Sequence, residues 1–141
     1  MKIHTTNYQN TFIAVAADCP VQKAEIPPEN QDIKSIARLQ YEIIENHPYQ
    51  FTSDEVLFEI YAIRKALNNS ETEISKQNFF SKGQACMRSS PLGKRYGWGI
   101  HFNSEGKMAL YGVHTLQYIE FINDQSLKIL FAMKTKREPT K

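Results

Sequence analysis

Apolar residues recur at helical spacing at Ile36, Leu39, Ile43 and Ile44. That helix stops before Pro48, because the proline ring pushes His47 out of helical geometry. Thr52-Ser53-Asp54-Glu55 follows and reads as a capping box. In such a box the threonine hydroxyl accepts from the glutamate amide, and the glutamate carboxylate reaches back to the threonine amide. Behind the box, Val56, Ile60, Ile63 and Leu67 form one stripe with Leu57 and Tyr61 at its flanks, the pattern of an amphipathic core helix. A second box, Ser70 to Glu73, opens a shorter helix that runs to about Phe79-Phe80, with Gly83 as its stop.

After Gly83 the period shortens. Trp98, Ile100 and Phe102 alternate with Gly97, Gly99 and His101, which is strand spacing. Asn103-Ser104-Glu105-Gly106 is turn chemistry, and the run from Lys107 to Val113 returns as a second strand. His114 to Phe121 fits a short helix. Leu127, Ile129, Phe131 and Met133 alternate as a strand, although SLKILFAM fits a helix equally well, and TFIAVAA near the start is ambiguous in the same way. Helices in one block and strands in another predict an α+β fold. The expectation is one domain over residues 1–141, with three helices between 34 and 81 packed on one face of a small, mostly antiparallel sheet that contains a hairpin near 96–113. Tandem Pro27-Pro28 predicts an extended chain over the surface, and the charged tail from Lys134 reads as frayed.

Composition narrows the class. Hydrophobic residues at 41% and charged residues at 23% describe an ordinary folded domain. No apolar run approaches the roughly 20 residues that span a bilayer, and MKIHTTNYQNTF lacks the apolar core of a secretory signal. Cys19 and Cys86 stand far apart with no pairing pattern, so reduced thiols and a cytoplasmic location are expected. The net charge of +2 is unevenly spread. Residues 1–73 hold six basic against eleven acidic side chains, whereas 74–104 holds five basic and no acid. That acid-free window is where an anion-facing surface would lie, or a face packed against the acidic half of the chain.

Within the window, RSSPLGKRYGWGIHFNSEG concentrates the candidate chemistry. Arg88 offers a planar fork of donors, Ser89 and Ser90 offer hydroxyls, and Lys94 and Arg95 add charge beside Gly93. Gly97 and Gly99 leave one strand face bare except for His101, so a ligand or another backbone can approach there. Arg88, Ser89, Ser90, Lys94, Arg95 and His101 are therefore the expected lining of an anion site, with His101 tuning affinity by pH. The competing reading is structural: a turn at Ser89-Ser90-Pro91, glycines that relieve crowding, and solvated cations. GKRYGWG lacks the spacing of a nucleotide loop.

Tyr96, Trp98 and Phe102 would serve as stacking surfaces for nucleic acid. That partner is disfavoured, because the same strand reads as core and the pI of about 8.5 falls short of the ~9 of such domains. Cys86, two residues before Arg88, is a candidate nucleophile with His4, His47, His101 or His114 as partner, against the simpler reading of a small core residue. No spacing of cysteines and histidines suggests a metal, and no motif calls for a cofactor.

Several segments carry a family resemblance: HTTNY, TFIAVAADCP, AEIPP, ARLQYE, FTSDEVLFE, FFSKGQACMRSSPLGKRYGWGIH and EGKMALYGV. Together they cover most of the chain from His4 to Val113, and the chain resembles a family of short bacterial proteins grouped as a domain of unknown function. The resemblance implies a single-domain cytoplasmic bacterial protein and brings no activity or catalytic residue. The leading functional expectation is thus a small binding module that holds an anionic small molecule or an acidic protein surface. The alternative is a structural or self-associating protein, a homo-oligomer without a small ligand. An enzyme ranks third.

Overall fold

Strand β1 (Thr11–Ala14) is buried along its whole length. Phe12 and Ile13 point to opposite sides of it, so β1 needs protein on both faces. The computed structural model describes residues 4–29, 34–65 and 69–135, and it supplies both covers. In chain order the further elements are α1 (Ile36–Glu45), α2 (Ser53–Lys65), α3 (Asn69–Phe80), a 3-10 turn (Met87–Ser89), α4 (Pro91–Lys94), β2 (Trp98–Phe102), β3 (Met108–Gly112), α5 (Leu116–Ile122) and β4 (Lys128–Phe131).

The sheet order is β3-β2-β1-β4. β1 pairs antiparallel with β2 and parallel with β4, and β2 and β3 form the expected hairpin. Its turn is held by Asn103, whose side-chain oxygen accepts from the amides of Glu105 at 2.9 Å and Lys107 at 3.0 Å. Gly106 completes the turn at a φ of +79°, which glycine adopts without steric cost. The larger core joins Ile13, Ile100, Phe102, Met108 and Leu110 of the sheet to Leu39 and Ile44 of α1, Val56 and Ile60 of α2, and Met87 and Leu92. Each such side chain, once buried, contributes roughly 1.5–3 kcal/mol. On the other face Tyr118 of α5 packs on Phe12 and Ala14.

The α+β class and the hairpin follow the sequence pattern, and TFIAVAA and SLKILFAM both resolve into strands. The Thr52–Glu55 box forms as written: the Thr52 amide donates to the Glu55 carboxylate at 2.9 Å, and the Glu55 amide to the Thr52 hydroxyl at 3.3 Å. The side chains of the Ser70–Glu73 box lie outside the described residues, apart from Thr72, and so does Leu67. Ile63 is exposed, one turn past Ile60, the last residue of α2 in the core cluster. Pro27 also departs from expectation, being buried rather than on the surface. Its loop docks on the hairpin through Glu25, whose amide donates to the Tyr96 carbonyl and whose carbonyl accepts from the Trp98 indole. The segment Ser89-Ser90-Pro91 is more than a turn: Ser90 caps α4 by accepting from the Leu92 amide at 3.1 Å, and Pro91 fills the first helical position. At the tail, the Thr135 amide donates to the Asp18 carboxylate, and residues 136–141 lie outside the described set. No helix among the described residues is long and apolar enough to cross a membrane.

Candidate functional site

The six residues singled out by the sequence do not converge on one hollow. Arg88 turns to the sheet edge, where its Nε donates to the Phe131 carbonyl at 2.8 Å. Arg95 pairs with Glu25 at 3.1 Å, both side chains half exposed, and lies over the Tyr96 ring. Lys94 ends α4. His101 projects from the α5 face of the sheet, opposite the larger core, and stacks on Phe121 with ring centres 4.3 Å apart. The strand face expected to be bare is occupied. A Cβ at Gly99 would sit 2.5 Å from the Phe12 ring and 2.7 Å from the Tyr118 ring, so the glycine makes room for that aromatic pair and leaves no opening for a ligand. A Cβ at Gly97, at φ +83°, would meet Val21 at 2.8 Å.

Ser89 and Ser90 do meet, in the wall of a groove of about 470 Å³ between α1, the C-terminal half of α2, α3 and the segment 84–91. Its floor and sides are largely apolar, formed by Ile36, Leu57, Ile60, Tyr61, Phe79 and Pro91. Gln40 lies at its base and is only 4% exposed. The Gln40 carbonyl oxygen accepts from the buried Ser90 hydroxyl, and its NH2 group has no hydrogen-bond partner among the described residues. No side-chain nitrogen or oxygen among the described residues is both sealed from solvent and unpartnered, so that NH2 opens on the groove Gln40 lines. Arg64 and Lys65 stand at the rim. Neither makes an ion pair among the described residues, and the Lys65 ammonium lies 6.0 Å from the centre of the Tyr61 ring. No carboxylate among the described residues lines the groove.

Cys86 also lines it, and its neighbour is a phenol rather than an imidazole: the Tyr8 hydroxyl donates to the sulfur at 3.3 Å. Burial first, then this hydrogen bond, pushes the Tyr8 phenol up to about 12. No histidine among the described residues hydrogen-bonds Cys86 or Ser90, so the nucleophile arrangement weighed from sequence is not assembled in this geometry. Both cysteines are free thiols. No group of three or more metal-ligating side chains gathers among the described residues. A separate polar cluster joins Tyr49 to both His101 Nδ1, at 2.7 Å, and the Tyr111 hydroxyl, at 2.8 Å. Burial holds the His101 imidazole below its ordinary value, against a smaller opposing effect of Asp124.

Gln40, Arg64 and Lys65 escaped sequence reading because they lie in the acidic half of the chain, outside the acid-free window. The available signal was the spacing Leu57, Tyr61, Arg64, Lys65 along one flank of α2, an apolar stripe that ends in two cations. A family model described as a family of unknown function (DUF6157) matches residues 3–138. Neither a curated protein nor a solved structure matches the chain.

Proposed function

The chain belongs to that family, whose description carries no activity, and from the groove alone we propose that it is a binding module for a small anion with an apolar body. The observation that carries the reading is the NH2 of Gln40, a donor with no partner among the described residues that opens on an apolar hollow. Arg64 and Lys65 at the rim supply positive charge to an incoming carboxylate or phosphate, and the volume suits a small ligand. Ser89 and Ser90 form part of the wall. Arg88, Lys94, Arg95 and His101 are not needed. The free thiols suit a reducing compartment.

The test is an NMR titration of the whole chain with octanoate and with 1-octanol. Octanoate should bind about tenfold more tightly, with amide shifts at Gln40, Tyr61 and Cys86, and the double substitution Arg64→Gln, Lys65→Gln should remove the preference. Equal affinity for acid and alcohol, or shifts centred elsewhere, would defeat the reading. One observation favours the structural or self-associating alternative: Arg95, a cation of the acid-free window, is already neutralised by Glu25 from the acidic half.

A further inference from the structure

A second cavity, of about 700 Å³, lies on the other flank of α2, between the N-terminal half of that helix, the end of α1, α3 and the segment at His4-Thr5. We infer that it is a site for an organic ammonium with an apolar body, separate from the anion groove. The first ground is its wall. Phe51, Phe58 and Phe80 line it together with Ile43 and Val56, and aromatic rings attract cations through the negative faces of their π systems.

The second ground is charge. Among the described residues, three carboxylates, Asp54, Glu55 and Glu59, line the cavity against one ammonium, Lys76. They are not equally available. Asp54 accepts from the Thr5 hydroxyl, the Thr6 amide and the Thr6 hydroxyl, each at 2.7 Å, and is fully occupied in tying down the N-terminal segment. Glu55 spends one oxygen on the Thr52 amide. Glu59 is exposed and has no hydrogen-bond or ion-pair partner among the described residues, and Lys76 pairs with none of the three. His47 adds an acceptor: its Nδ1 donates to the Ile43 carbonyl at 2.9 Å, so in the neutral ring the other nitrogen carries a lone pair. Carboxylates, a ring-nitrogen lone pair and phenyl rings around one hollow suit an organic cation and disfavour an anion.

The experiment compares benzyltrimethylammonium, benzyl alcohol and phenylacetate, probes that share an aromatic body and differ in charge, each titrated into the whole chain and followed by amide NMR shifts. The ammonium should bind about tenfold more tightly than the alcohol, with shifts at Ile43, Phe51 and Phe80, and phenylacetate should produce none there. Glu59→Gln, at an exposed position, should weaken the ammonium about threefold and leave the alcohol unchanged. Glu55→Gln keeps an oxygen for the cap and serves as the second variant. Arg64→Gln should not affect the ammonium, which separates this site from the anion groove. Phenylacetate binding as tightly as the ammonium, shifts elsewhere, or no saturable binding would overturn the inference.

Discussion

On one flank of α2, the cavity beside its N-terminal half carries Asp54, Glu55 and Glu59 against Lys76; on the other, the groove along its C-terminal half carries Arg64 and Lys65 and, among the described residues, no carboxylate. Both hollows are walled by aliphatic and aromatic side chains, so their difference is one of sign. Its origin is the helix itself. Acids in the first turn and bases in the last complement the helix dipole, each contributing about 0.3–1 kcal/mol. A helix sorted in this way gives opposite charge to whatever hollows open beside its two ends. Between them stands an aromatic partition. Phe58 lies with its ring centre 5.7 Å from Phe79 and 6.2 Å from Phe80, and Tyr61 lies 4.8 Å from Phe79.

The largest way to break the contrast is to remove the partition. Phe58→Ala should cost about 3–5 kcal/mol in urea unfolding, because Phe58 is almost fully buried, and it should weaken octanoate and benzyltrimethylammonium together. A loss under ~1 kcal/mol would mean that packing at Phe58 does not keep the two hollows apart. A smaller change falls on one flank only. Gln40→Met keeps the volume but strips the Ser90 hydroxyl of its acceptor, for a loss of about 1–2 kcal/mol together with the preference for carboxylate. A variant as stable and as selective as the parent would place the donor elsewhere.

The smallest effect is a pH dependence that should ignore both flanks. Because burial lowers the His101 value, the fold prefers the neutral ring. The unfolded chain therefore takes up the proton first as pH falls. Stability is full above the ordinary imidazole value of about 6.5 and declines from there down to the depressed folded value. His101→Phe should flatten that slope in chemical unfolding at stepped pH. Neither ligand should alter it, since His101 stands on the far face of the sheet. A slope that changes with ligand would show that the two faces communicate.

The helices and the hairpin were legible in the sequence because each rests on a local rule. Thr52 and Glu55 bond to each other three residues apart, and Asn103 closes its own turn. Leu39, Ile44, Val56, Ile60, Ile100 and Phe102 of the larger core could be read from their periods, while Ile36 and Ile63, named by the same periods, are exposed. The site was not legible in the same way. A run of cations does not reveal its partners, and those partners come from afar: Glu25 lies 70 residues before Arg95, and Phe131 lies 43 after Arg88. Gly99 pointed to a close approach correctly, but only the tertiary fold could say that the neighbours are Phe12 and Tyr118. Gln40 looked like an ordinary polar position on α1 until α4 brought the Ser90 hydroxyl against it.

Arg88 has a consequence of its own. β4 lies at the margin of the sheet, and along its outer side Arg88 takes up the Phe131 carbonyl through its side chain and the Met133 amide through its own carbonyl. Those are groups on which a strand from a second molecule would begin to pair. The arginine thus occupies the sheet margin where such edge-to-edge pairing would start, and Lys128 adds an exposed charge on the same strand.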